Sequence, residues 1–269
     1  MPVWSATTHV RSGIIDNRGR ADQPFPMNTN QTHLSKTSET PRLFWWIICI
    51  SVALALIPTA WTAIDLQTAG LFIGASATID TRSWLWVELI NLYIPAAFRV
   101  VVLTALAGWI FASFSRHAKQ WRLQLAFVVL AGALGPGLLV NSGFKENWQR
   151  SRPYQVDNFG GTQKFTRATV MTDQCNNNCS FVSGHVACGF FFASLMLIDR
   201  RRRVAWGVTG IVAGLVIGFA RVSVGDHWLS DVLWASPITL LCSWAIWKVL
   251  LRIYASQANG ALPSVTASR

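Results

Sequence analysis

From Leu43 onward the chain alternates long apolar runs with short polar or basic stretches. A membrane-spanning helix needs about 20 mostly apolar residues. Six stretches reach or approach that length: 43–61, 94–114, 123–143, 185–199, 204–221 and 231–251. The fourth and fifth are short, but they flank the turn Asp199-Arg200-Arg201-Arg202-Arg203, whose long side chains can snorkel. The pattern predicts an all-α polytopic membrane protein, a bundle of six transmembrane helices. Residues 1–42 lack a sustained apolar run and read as a disordered cytoplasmic tail. Residues 43–255 then form the six-span domain, and 256–269 a C-terminal tail. No secretory signal peptide opens the chain, and Met27 is a second candidate start. In the polar and apolar alternation of 62–93, Trp84 and Trp86 predict a helix lying in the interface. Arg99 falls inside the second span, where a charge is turned to the bundle interior or a wet cavity unless it snorkels from one end.

Composition agrees with a chain that places apolar surface in lipid. Of 269 residues 52% are hydrophobic and 13% charged, against about 25% charged in soluble domains. The net charge of +11 would suit a nucleic-acid partner. Its distribution argues against one, because the basic residues lie in short clusters between spans rather than along one face. Arg116, Lys119 and Arg122 separate spans two and three, and Arg200, Arg201, Arg202 and Arg203 separate spans four and five. With five in the N-terminal tail and Lys248, Arg252 and Arg269 at the other end, 15 of the 23 Lys and Arg fall on one side. The positive-inside rule makes that side cytoplasmic and turns the segments 62–93 and 144–184 outward. Eight of the 14 Trp fall near span ends, as aromatic belts do.

The chemistry sits on the outward side. Lys145 precedes Arg152-Pro153 by two helical turns, Ser183-Gly184-His185 opens the fourth span, and Arg221 is followed by His227 and then Asp231. Outer-loop cations can simply meet lipid headgroups, and a serine before a helix can simply cap it. Taken as a spaced set with two histidines, the residues describe a phosphate pocket. On one helix Lys145 and Arg152 would share a face, with Pro153 ending that helix. Arg binds phosphate oxygens in pairs, while Lys acts as a point charge. A helix N-terminus at Ser183-Gly184 offers free N–H groups to an anion. His185 is placed to protonate a leaving alkoxide. Asp231, four residues after His227, can fix its imidazole and leave the other nitrogen free to attack phosphorus. Two His and one Asp could instead hold zinc, but three nearby cations would repel a metal. His9, His33 and His117 read as bystanders. Cys175 and Cys179 can pair in an oxidising compartment, whereas Cys49, Cys188 and Cys242 read as packing residues.

These motifs, KENWQRSRP, SGH and RVSVGDHWLSD in order, resemble the type 2 phosphatidic acid phosphatase (PAP2) family, the membrane acid phosphatases that share a site with vanadium haloperoxidases. The resemblance spans Lys145 to Asp231. It implies His227 as a nucleophile forming phosphohistidine, Asp231 as its partner and His185 as the acid. It implies Lys145, Arg152, Ser183, Gly184 and Arg221 as phosphate ligands. No metal or other cofactor is implied. Val182 stands where most relatives have Pro. The stretches Asn158-Phe159-Gly160-Gly161 and Asn178 to His185 look like the bacterial lipid A phosphatase branch. The expectation is therefore a multi-pass enzyme of the bacterial inner membrane, with its site facing the periplasm and a lipid phosphate as substrate. Phosphatidylglycerol phosphate and undecaprenyl pyrophosphate are alternative substrates, and a phosphotransferase with the same site is an alternative activity. A soluble haloperoxidase is disfavoured by the spans. A lipid binder or transporter would not need the His227/Asp231 pair.

Overall fold

Lipid offers backbone amides no partners, so an apolar chain that crosses it must pair them internally as helix. The computed structural model, which describes residues 39–260, follows that rule. Among the described residues there is no strand, only an isolated bridge between Val156 and Gln163. The helices are α1 (Arg42–Ala60), α2 (Ala63–Gly70), α3 (Leu85–Phe114), α4 (Arg122–Gly132), α5 (Gly184–Ser194), α6 (Arg203–Ser223) and α7 (Leu229–Gly260). α4 runs on into a π-helical stretch, Ala133–Lys145, and a last turn, Glu146–Trp148. Among the described residues five helices are long and apolar enough to cross a bilayer, and Gly184–Leu197 is a shorter apolar helix. The protein is an all-α, polytopic membrane protein.

The short helix has a physical reason. α5 packs against α6, α7 and the π-helical stretch, and nearly all of its residues are buried. Its ends meet protein, so its length need not match the bilayer. Contact with α6 is made backbone to backbone. A Cβ on Gly210 would lie 2.2 Å from the Ala193 nitrogen, and one on Gly189 would lie 2.8 Å from the Gly214 nitrogen. Small residues at such a crossing let two membrane helices approach closely. One apolar cluster, with Phe44, Phe127, Phe191, Met196 and Trp247, fills the basic half of the bundle. A second, with Val140, Val182, Val186, Phe190 and Val232, lies beneath the outer segments.

Several expectations are corrected. Trp84 and Trp86 do not mark an interfacial helix. They stand at the start of α3, which begins at Leu85 rather than near 94, and their rings stack on Phe219 of α6. Of the two readings left open for Arg99, the structure matches the exposed one rather than the cavity-lining one. Arg99 is exposed on α3 and donates from Nε to the Pro95 carbonyl of its own helix, while its neighbour Phe98 occupies the buried face. α7 continues to Gly260, beyond the expected boundary at 255. The N-terminal tail up to residue 38, with His9, His33 and Met27, lies outside the described residues.

The π-helical stretch follows from Gly135-Pro136-Gly137. Pro136 has no amide to donate and its ring crowds the preceding turn, so the ladder widens locally. Asn141 donates to the Pro136 carbonyl at 2.9 Å and helps hold the widened form. This stretch ends at Lys145, so the irregularity sets where the first of the marked cations stands.

Candidate active site

The segment between Gln149 and Ser183 folds over one end of the bundle. The helix carrying Lys145 stops at Trp148, because Gln149 adopts a left-handed conformation with φ 48°. Thr172 takes up the freed carbonyls, donating from N to Trp148 and from its hydroxyl to Gln149. Lys145 and Arg152 therefore do not share one helix as the spacing suggested. The residue that reunites them is Asn178. Its side-chain oxygen accepts from Lys145 Nζ at 2.9 Å, and its backbone carbonyl accepts from Arg152 Nε and Nη2 at 3.0 and 2.8 Å. Asn178 lies in a tight loop closed by a disulfide between Cys175 and Cys179.

The third cation joins through acids and amides that the sequence did not mark. Arg221, at the end of α6, pairs with Asp226 at 2.6 Å, and the other oxygen of Asp226 pairs with Arg152 at 2.7 Å. Both guanidiniums thus converge within the width of one carboxylate. Asn91 of α3 accepts from Arg221 Nη1 on its side-chain oxygen at 2.8 Å, and its carbonyl lies 3.2 Å from His185 Nε2. Lys145, Arg152 and Arg221 are each buried to within a tenth of full enclosure.

His227 is fully buried. Its Nδ1 lies 2.8 Å from the Ser180 carbonyl. A carbonyl only accepts, so Nδ1 carries the proton and a neutral ring leaves its lone pair on Nε2. Among the described residues that Nε2 has no hydrogen-bond partner, nor has the buried hydroxyl of Ser183. Burial holds the imidazole far below its ordinary range, at about 3, with Asp231 opposing that shift and Arg221 and Lys145 adding to it. The ring is consequently neutral at physiological pH.

Asp231 does not bond the imidazole directly, standing 3.8 Å from Nδ1. Its oxygens are taken by Arg150 Nη1 at 2.5 Å, by the Trp228 amide at 2.9 Å and by the Ser180 hydroxyl. It fixes the histidine through Ser180, whose hydroxyl it receives and whose carbonyl orients the ring. Arg150 is the fully buried hub behind this arrangement. It also bonds Asp65 at 2.9 Å, Ser230 at 2.8 Å and the Thr166 carbonyl at 2.9 Å, between the rings of Phe165 and Trp228. Asp65 in turn accepts from the amide and hydroxyl of Ser230. Arg150 stood between the two marked cations in the sequence. Its one distinguishing signal was a polar partner, Asp65, in an otherwise apolar stretch, where burial without a partner would be costly.

Ser183 occupies the N-cap position of α5 in an extended conformation without making a side-chain cap bond. Its hydroxyl is thus not spent on the helix. Gly184 follows because a Cβ there would come within 2.8 Å of the Asn141 side-chain oxygen. His185 is half-buried on the first turn. From one turn further along α5, Ile94, Phe98, Val101, Cys188, Phe192 and Ile217 border an apolar cavity of about 120 Å³ between α3, α5 and α6.

All eight residues singled out in the sequence lie at this end of the bundle, on the segments that enter and leave the outer loop. The structure thus brings three buried cations and a buried, neutral histidine, whose Nε2 has no partner among the described residues, to one end of a membrane helix bundle. The chain belongs to the PAP2 superfamily, whose pattern matches residues 122–254. It is 30% identical over 195 residues to the lipid A 4'-phosphatase of Francisella tularensis subsp. novicida, covering 70% of this chain and 87% of that protein. It is 36% identical over 149 residues to a lipid A 4'-phosphatase of Rhizobium leguminosarum and 33% identical over 164 residues to that of Rhizobium etli. Those two matches cover 55% and 59% of this chain, and 61% and 62% of the respective relatives. No solved structure matches the chain significantly.

Proposed function

We propose that the protein is a metal-independent lipid phosphatase that removes a phosphate monoester from lipid A or a close relative through a phosphohistidine. The observation that carries this reading is His227 Nε2, a buried nitrogen with a lone pair and no partner among the described residues, on a ring that feels the charges of Arg221 and Lys145, at the same end of the bundle as Arg152 and the equally unpartnered Ser183 hydroxyl. Nε2 attacks phosphorus in line, and the bond from phosphorus to the sugar oxygen breaks. The three cations, Ser183 and the backbone at Gly184 neutralise charge on the equatorial oxygens. His185 gives a proton to the departing alkoxide and then takes one from the water that cleaves the phosphohistidine. Free phosphate and neutral His227 result.

The lipid class is supported by the names of the three relatives. Orientation is supported by the distribution of charge. The site lies at the end opposite the Asp199–Arg203 turn and Lys248, so the positive-inside rule directs it away from the cytoplasm. In a Gram-negative cell this is the periplasmic face of the inner membrane. Purified protein given a panel of lipid A, phosphatidylglycerol phosphate and undecaprenyl pyrophosphate, with products read by mass spectrometry, tests the reading. The account expects lipid A to lose one phosphate fastest. Release from none of the panel would overturn it.

A further inference from the structure

At the other end of the bundle, away from the catalytic residues, lies a cleft of about 710 Å³. Its lining includes Arg42 at the start of α1, Arg200 in the turn before α6, Arg203 at the start of α6 and Lys248 late in α7. One carboxylate, Glu39, one hydroxyl, Thr40, and two indoles, Trp45 and Trp244, complete the polar part of the wall. Among the described residues Arg42, Arg200 and Arg203 form no ion pair, and Arg203 Nε is buried without a hydrogen-bond partner. The walls are braced. Trp45 packs edge-on against Trp244 with centroids 5.2 Å apart, and the Trp244 indole donates to Thr40 at 3.1 Å. That bond ties the chain ahead of α1 to α7.

Basic residues at this end are what membrane orientation alone requires. Orientation does not require that they come from separate helices to surround one concavity. Nor does it require guanidiniums where lysines would serve equally, or leave one buried nitrogen unpartnered. A cleft of this volume lies within the range of ligand sites. Three arginines without an ion pair among the described residues match the oxygens of phosphate, which guanidinium forks bind in pairs.

We propose that this cleft binds a phosphate-bearing anion, either the headgroup of an anionic phospholipid or a free polyphosphate. It is a second anion site. Arg203 and Arg221 stand at the two ends of α6, about 27 Å apart at 1.5 Å per residue. That is close to the thickness of a bilayer core. Anion binding there would clamp α1 to α6 and α7, the two helices that carry Arg221 and Asp231 at their far ends.

The test uses the full chain in detergent and a variant that keeps every charge, Arg42→Lys/Arg200→Lys/Arg203→Lys. Retained charge keeps the orientation signal, and turnover of an aryl phosphate reports that the variant is folded. Phosphatidylglycerol, phosphatidylcholine of the same chain length, and inorganic pyrophosphate are titrated by native mass spectrometry. The proposal expects the wild type to bind phosphatidylglycerol or pyrophosphate about tenfold or more tighter than the variant, with phosphatidylcholine bound alike by both. Phosphatidylglycerol alone responding identifies a headgroup, and pyrophosphate responding identifies a soluble anion. Equal affinities of wild type and variant for both anions would overturn the site. Should the triple variant prove inactive, Arg203→Lys alone is titrated, and an unchanged affinity there is equally contrary.

Discussion

His227 is the residue to which the proposed mechanism assigns the attack on phosphorus, and its burial has a consequence away from catalysis. An exposed imidazole takes up a proton near 6.5, whereas burial holds His227 at about 3. Between those values the unfolded chain binds a proton that the folded protein does not. The stability this histidine contributes is complete above 6.5 and is lost as pH falls below it toward 3. Melting of the wild type should therefore drop on acidification from pH 7 to 5 more than melting of His227→Gln. Parallel curves would show that the ring is not held neutral by burial. His185 carries a different prediction. An alkoxide leaving from a sugar needs a proton, and a nitrophenolate hardly does. His185→Ala should lose more activity on lipid phosphate than on nitrophenyl phosphate, and equal losses would remove its role as the acid. The sequence showed these residues because motif spacing is local. It hid Arg150, Asp65 and Ser180, because their partnership joins positions 65, 150, 180 and 231 through tertiary contacts alone. It placed His227 and Asp231 near each other, and the structure has them 3.8 Å apart, but it could not show that Ser180 also links them, through its carbonyl and its hydroxyl.

Among the elements, the spans were legible wherever lipid dictates an apolar surface. α1, α6 and α7 start within two residues of their expected positions. α3 was not, because its first turns contain the polar residues Glu88, which is exposed, and Asn91, which is taken by Arg221 and His185. The end of the α4 rod was also missed. Its π-helical stretch and the left-handed Gln149 depend on Pro136, Asn141 and Thr172, and periodicity does not register them. Gly184 tests how tightly that rod sets the site. Its missing Cβ makes room for the Asn141 oxygen. Gly184→Ala should reduce kcat/KM by up to about two to three orders of magnitude, the scale of losing one transition-state donor. Adding Asn141→Ala should restore part of the loss. Failure of the second change to help would mean that Gly184 is needed for substrate approach alone.

For the whole molecule, orientation is the claim most exposed to disproof. Fifteen of the 23 basic residues are assigned to one side, which directs the 149–183 segment outward. In a background without native cysteines, a Cys in that segment should react with an impermeant thiol reagent in right-side-out spheroplasts. A Cys in place of Arg201 should react only after lysis. The reverse pattern would put catalysis in the cytoplasm and exclude a substrate confined to the outer leaflet.

The central claim is that one buried histidine cleaves a lipid phosphate. Purified wild type and His227→Ala, assayed side by side for phosphate release from lipid A, test it most directly. Loss of a general acid or base costs a factor of about 10²–10⁴, and loss of a covalent nucleophile should cost more than the lower end of that range. The account predicts rapid release by the wild type and less than about one part in 10² of that rate by the folded variant. A variant that retains more than this, with the wild type active, would contradict the nucleophilic role of His227.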